Sequence, residues 1–428
     1  MARGVLDRNH RVGTAQIPSM GYDYTCPSTQ TYPFQWNWDS AFHAIALSRY
    51  DPIRAQAEVS TLLAARRPSG FLPHMVLWQE EFRARAANEF TIVLDSSGWR
   101  SATVQPPVLP LAVERVWRAS GDDQWLDGVL PDLMQAMHWW SIHRDAAKTG
   151  LLTTFQPDES GLDMSPKYDV LLAIPENADG ADSHGVPAGI AARWHVAMRE
   201  LFAAYDPQGA GRDPDEDLTR CGVFAWQDVL VNSIYANSAS ALARLLTERQ
   251  HPDAATSWHQ TAAGTTAALL RDCWEPLSGA FYDTYVSASQ GESASACTQA
   301  RVLTATSLFP LILEDLPSDV AARLVAHLTD ESEFWLPYPV PSVAATERSF
   351  DPDFASDAIF RGSSWVNLNW YLCEGLRMHG YHDVGNELTR RTRSMVALSG
   401  LRECYNPYDG SGHGAREFSW SSLVLDMQ

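Results

Sequence analysis

Apolar side chains recur along this chain at the spacing of a single helix face. In "DQWLDGVLPDLMQAMHWWSIH", Leu126, Leu130, Leu133, Met137 and Trp140 form one stripe of a 3.6-residue period. The same reading fits Ile190, Trp194, Met198 and Leu201, then Leu230, Ile234, Ser238, Leu242 and Leu245, then Trp365, Leu368, Leu372 and Leu376. These stripes predict helices that face a shared core. Strand signals are scarce, and the intervening segments, such as "YDPQGAGRDPDED" and "WEPLSGAFYDTY", are rich in turn-forming Pro, Gly, Asp and Asn. The pattern therefore predicts an all-α chain of roughly ten to twelve helical segments.

No stretch reads as a linker, and no repeat recurs at a fixed period, so a single domain over 1–428 is expected, with 1–30 as a peripheral N-terminal segment. Three long loops each end at a predicted helix start: "YTCPSTQTYPFQWNWDSAF", "WQEEFRARAANEFTIVLDSSGWRSATVQPPV" and "FQPDESGLDMSPKYD". Loops placed this way cluster at one mouth of a helical bundle. A closed helical toroid reaches 428 residues as one domain.

Composition narrows the partners. A formal charge of −20 repels phosphate backbones and anionic membranes, which argues against nucleic acid. The N-terminus lacks the continuous apolar region of a signal peptide, and no stretch reaches the roughly 18 uninterrupted apolar residues of a membrane span. A cytoplasmic protein with no membrane partner is expected; a homo-oligomer stays open. The six cysteines show no metal-ligand spacing and are expected as free thiols, and no cofactor or metal is called for. Sixteen tryptophans, fourteen tyrosines and fifteen phenylalanines suit either a large core or a sugar cleft, because the C–H face of a pyranose stacks on aromatic rings.

Several loop ends carry candidate chemistry. In "YPFQWNWDSAF", Asp39 and Ser40 suit a helix start, and Gln35, Trp36 and Asp39 suit a sugar site in which a carboxylate accepts hydroxyl hydrogen bonds above an indole platform. Gln105, before two prolines, offers hydroxyls both a donor and an acceptor. "DESGLDMSP" places Asp158, Glu159 and Asp163 in one turn. Glycoside hydrolysis needs two carboxyl groups, one to protonate the leaving oxygen and one to activate water or attack directly. Gly161 permits a sharp turn and Pro166 stops a helix, so Asp163 is the candidate held towards a cleft. Asp158 and Glu159 read as solvated loop charges or hydroxyl acceptors. For the second carboxylate, Glu403 and Glu417 are equal candidates on physical grounds.

"FQWNWDSAFHA", "SGLDMSP", "FRGSSWVNLNWYL" and "ECYNPYDG…FSWSSLV" together resemble glycoside hydrolase family 63, particularly its short bacterial members that hydrolyse mannosylglycerate and glucosylglycerate. The agreement runs in order from Tyr32 to Leu425, and four ordered motifs are specific where one is weak. The resemblance implies an (α/α)6 toroid and an inverting enzyme acting on a small α-linked glucoside or mannoside. It makes Asp163 the general acid, with Met164 where Asn is usual, and Glu403 the general base, with Glu417 as the fallback. Around the sugar it implies Tyr32, Trp36 and Gln105; the residue reading adds Trp38 among the aromatics beside them, and Gln35, Asp39 and Trp365 to grip the ring. Gly161, Arg361, Gly362, Tyr405 and Trp420 come with the motifs, although Ser363 and Ser364 replace the usual proline segment after Arg361 and Gly362. A glycerate carboxylate needs a cation, and Arg83, Arg85, Arg212 and Arg220 are the nominees from the loops.

In the implied single displacement the two carboxyl groups stand roughly 6.5–9.5 Å apart, leaving room for the water. A phosphorolytic toroid would need a basic cluster in place of Glu403. The remaining alternatives are an α-glucosidase acting on kojibiose, nigerose or trehalose, and a non-catalytic sugar-binding toroid.

Overall fold

The computed structural model describes residues 1–90, 92–145, 148–170, 189–206, 211–216, 224–285 and 298–427. Twelve α-helices appear among them: α1 (Ala2–Arg8), α2 (Asn37–Ser48), α3 (Pro52–Ala64), α4 (Glu80–Glu89), α5 (Leu109–Ser120), α6 (Asp123–His143), α7 (Ile190–Tyr205), α8 (Val229–Glu248), α9 (Pro252–Asp272), α10 (Ser318–Leu328), α11 (Val366–Met378) and α12 (His382–Ser399). Their starts follow local chemistry. Asp51, Asp122 and Asp228 each accept from a backbone N–H three residues on, satisfying donors that the first turn of α3, α6 and α8 leaves unpaired. Gly121 ends α5 in the left-handed conformation, at φ 65°.

The packing is a closed ring of six inner segments. In order these are α2, α5, α8, the 3₁₀ segment Ala305–Ile312, α11 and the 3₁₀ segment Ser419–Leu425, which returns to α2. Every residue of α2 is buried, as is nearly all of α8, because inner segments touch protein on all sides. An outer helix backs each inner one: α3, α6, α9, α10 and α12 cover the first five, and α1 covers the last. This is the (α/α)6 toroid that the motifs implied. α4 and α7 lie outside the two rings, within the long loops. Strands are short; the longest pair is the antiparallel hairpin His10–Ala15 with Met20–Thr25, which leans on α3.

In the N-terminal segment, α1 completes the outer ring, and Val5, Leu6, Tyr24 and Cys26 are buried in the main core. A buried polar chain fastens this closure. Ser419 Oγ lies 2.7 Å from His43 Nε2 and also bonds the Cys26 carbonyl, while Glu58 accepts from Ser40 Oγ at 2.6 Å and from the Thr25 N–H at 2.6 Å. The Ser–His–Glu order mimics a nucleophilic triad, but Ser419 and His43 are fully buried and the serine is committed to carbonyls, so the arrangement ties the chain ends together. Of the six cysteines, Cys26, Cys273, Cys373 and Cys404 are buried free thiols, and Cys221 and Cys297 lie outside the described residues. No described helix is long and apolar enough to cross a membrane.

Candidate active site

At one mouth of the ring, the loops preceding the inner segments converge on a cavity of about 250 Å³. Tyr32, Trp36, Trp38 and Asp39 enter from the approach to α2 and its first turn. Gln105 enters before α5, Gly161, Asp163 and Met164 from the turn after α6, and Phe360 and Trp365 before α11. Glu403 and Trp420 come from the C-terminal region. Ten of the fourteen site residues expected from sequence thus share one wall.

The three carboxylates of "DESGLDMSP" occupy three different environments. Glu159 is buried and ion-paired with Arg144, also buried, at 2.6 and 2.9 Å, and accepts from the Phe155 and Val104 N–H groups. It is a brace between the turn and the loop that carries Gln105, not a solvated charge. Asp158 is partly buried, with one oxygen sealed from solvent. Asp163 alone reaches the cavity. The sharp turn is enforced by Gly161, at φ 71°: a Cβ there would meet the Trp38 ring at 2.5 Å, so glycine is what lets the indole lie against the turn. Met164 holds φ 61°, a left-handed conformation that Asn tolerates better than Met, which gives a reason for the Asn usual at this place. Arg144→Met would leave Glu159 buried without its partner; urea denaturation is expected to register a loss of about 3–5 kcal/mol.

Glu403 sits on the strand Arg402–Tyr405, opposite an irregular stretch of Gly412–Arg416. The irregularity places two residues, Gly414 and Ala415, against it, and the Ala415 N–H donates to Glu403 Oε2 at 2.7 Å. Tyr32 donates its hydroxyl to the other oxygen at 3.1 Å. Gly414, at φ 64°, is required because any Cβ would strike the Glu403 carboxylate. Nothing in the sequence alone marked Gly414 and Ala415; only the strand pairing brings them to Glu403. Gly414→Ala is expected to displace the carboxylate and lower kcat by about 10²-fold, because catalytic geometry tolerates little misplacement. Steady-state kinetics on a variant shown folded by circular dichroism checks it.

The two carboxyl groups differ in their surroundings. Burial raises the Asp163 carboxyl to about 7, and the negative charge of Glu403 adds to the rise. Burial raises Glu403 too, but its bonds from Ala415 and Tyr32 work against that rise and favour the charged form. Asp39, buried deeper, is held well above the ordinary carboxylate range by burial, with Glu403, Glu58 and Asp163 adding to the effect. Its carboxyl faces the cavity, where it can bond sugar hydroxyls. Trp36, Trp365 and Trp420 line this same wall, and their indole N–H groups are sealed from solvent without partners. Gln105 Oε1 already accepts from the Trp38 N–H at 3.0 Å.

Four expected site residues stand behind the wall. Gln35 spends its amide on Ser40 Oγ and the Trp78 N–H, at 3.1 and 2.7 Å. Arg361 is buried against Asp169, where it joins the loop before α11 to the loop after Asp163. At Gly362 the chain runs so close to the Asp351 backbone that a Cβ would lie 2.9 Å from it. Tyr405 donates to the Gly400 carbonyl at 2.8 Å and accepts from the Arg402 N–H. Glu417, the fallback base, pairs with Arg8 on the exposed surface. Arg83, Arg85 and Arg212 bond the carbonyls of Ile17, Gln30 and Tyr205, and Arg220 lies outside the described residues. His74 and His195 were not anticipated on the wall; burial drives His74 down to about 3, which keeps it neutral.

Residues 32–421 match the mannosylglycerate hydrolase MGH1-like glycoside hydrolase domain. The chain belongs to this family. It is a glycoside hydrolase of the family 63 type, and the sequence motifs pointed to the right fold and reaction class. The glycosidase is 30% identical to mannosylglycerate hydrolase of Rubrobacter radiotolerans, over 95% of this chain and 93% of that one. It is 27% identical to glucosylglycerate hydrolase of Mycolicibacterium hassiacum, over 92% of each. Its structure superposes on a mannosylglycerate hydrolase of Thermus thermophilus, crystallised with Tris and D-glycerate, with a TM-score of 0.79 at 25% identity, covering 99% of this chain and 98% of that one.

Proposed function

We propose that this glycosidase hydrolyses the α-glycosidic bond of mannosylglycerate or glucosylglycerate with inversion, Asp163 acting as general acid and Glu403 as general base. The observation that carries the reading is the asymmetry of the pair within one cavity: the Asp163 carboxyl lies buried and raised to about 7, while two donors hold Glu403 as an acceptor. Asp163 gives its proton to the glycosidic oxygen as the bond to the anomeric carbon breaks. Glu403 takes a proton from the water that attacks the opposite face. The Trp36, Trp365 and Trp420 rings line the cavity as apolar platforms for the sugar, and the Asp39 carboxyl bonds its hydroxyls. With its hydroxyl on Glu403, Tyr32 aligns the base while its ring faces the sugar.

Glycerate as the leaving group is supported by the likeness to the two hydrolases. The described cavity wall itself carries no Lys or Arg. The test is to incubate the protein with mannosylglycerate, glucosylglycerate, trehalose, kojibiose and nigerose and to follow early products by proton NMR. Release of glycerate with the β-anomer appearing first is the expected result. Cleavage of the disaccharides alone would remove glycerate from the reading, and an α-anomer appearing first would remove inversion.

A further inference from the structure

The turn bearing Asp163 is fastened at both ends, and one fastening has no counterpart in the reaction described so far. Downstream of Asp163, the Lys167 ammonium is buried, 2% exposed, and lies 2.6 Å from Asp228 Oδ2 and 2.9 Å from Asp283 Oδ2. The next residue, Tyr168, places its hydroxyl 2.7 Å from Asp228 Oδ2 and 2.7 Å from Ser160 Oγ, three residues before Asp163. Both acids are anchored in turn. Asp228 caps α8 through the Val231 N–H, and Asp283 accepts from the Val229 N–H at 2.7 Å and the Trp226 indole at 2.8 Å.

We propose that Lys167 and Tyr168 are positioning residues for proton donation: they bolt residues 160–168 to the first turn of an inner-ring helix, fixing where the Asp163 carboxyl stands relative to the glycosidic oxygen. Neither side chain lines the catalytic cavity, so neither touches the sugar. A buried ammonium held between two carboxylates is a costly device for stability alone, since apolar packing of equal volume commonly does as well. What the ion cluster adds is direction, because each bond fixes an angle as well as a distance.

The inference rests on Asp163 being the proton donor, and the test separates the two. Lys167→Met, Lys167→Arg, Tyr168→Phe and Asp163→Ala are compared on the glycoside that the protein cleaves and on the α-glycosyl fluoride of the same sugar. Fluoride departs with little help from an acid, so misplacing the donor spares it. Tyr168→Phe removes one hydroxyl and retains the ring, which keeps it informative if Lys167→Met fails to fold. The expected result for Tyr168→Phe is a kcat on the glycoside lower by about 10- to 100-fold, KM within about twofold, and fluoride turnover within about threefold of the parent. Lys167→Arg is expected to recover much of what Lys167→Met loses on the glycoside. Equal losses on both substrates, or no loss in folded Tyr168→Phe, would overturn the positioning role. An Asp163→Ala variant equally impaired on both substrates would instead overturn the assignment of the donor, and the inference with it.

Discussion

Asp163→Ala is expected to lower kcat on the glycoside by about 10³-fold, near the middle of what general acids contribute, and to abolish the fall in activity on the alkaline side. The sign follows from the carboxyl being raised: a donor works only while protonated, so with a pKa of about 7 the parent enzyme is active below that value and loses activity as pH rises through it. On the acid side activity falls as Glu403 takes up a proton, and burial moves that limb above the range of an ordinary glutamate. Because the Glu403 charge adds to the rise of the Asp163 carboxyl, the alkaline limb reports that interaction as well as burial. In Asp163→Ala the slow residual turnover should keep the acid limb and stay flat above it. A variant that retained the falling alkaline limb would place the proton donor elsewhere.

Much of this architecture was legible because amphipathic helices advertise themselves. The stripe from Leu126 to Trp140 lies on α6, and the one from Leu230 to Leu245 on α8, whose inner position leaves almost no exposed face. Two segments, one in each ring, gave no such signal. Ala305–Ile312 is wholly buried, Thr306 and Ser307 included, so no exposed face imposes a period on it, and Pro310 interrupts it. α1 has seven residues, about two turns, too short for a periodicity to show, although Val5 and Leu6 complete the core. Short segments acquire their structure from the ring they close rather than from their own propensity.

The site was legible by motif and not by direction. Asp163 comes from a turn and Glu403 from a strand facing an irregular partner, and both line the cavity. Gln35, Arg361 and Tyr405 lie in the same motifs, yet they face away and hold the wall in place. A motif marks a segment whose shape matters, and within it the residues that touch substrate and those that support them read alike until the fold separates them. Glu159 makes the point most sharply: it read like Asp158, as a solvated charge or a hydroxyl acceptor, until Arg144, fifteen residues upstream, proved to be its partner.

Glu403→Ala is expected to cost about 10⁴-fold in kcat, the upper end for a general base, because water in the enlarged site loses both its proton acceptor and its orientation. Sodium azide should restore turnover, since a small anion fits the vacated carboxylate space and needs no deprotonation. Asp163 still protonates the leaving oxygen, the bond from the anomeric carbon to that oxygen breaks, and a bond to azide nitrogen forms on the opposite face. The product expected by proton NMR is therefore the β-glycosyl azide. An α-azide would require attack from the face the leaving group occupied and would exclude Glu403 as the residue that serves water. The same variant tests the coupling between the two acids. Because the Glu403 charge helps raise the Asp163 carboxyl, its removal lowers that pKa, and the alkaline limb of azide-supported turnover should move to lower pH than in the parent enzyme. An unmoved limb would mean that burial alone sets the proton affinity of Asp163.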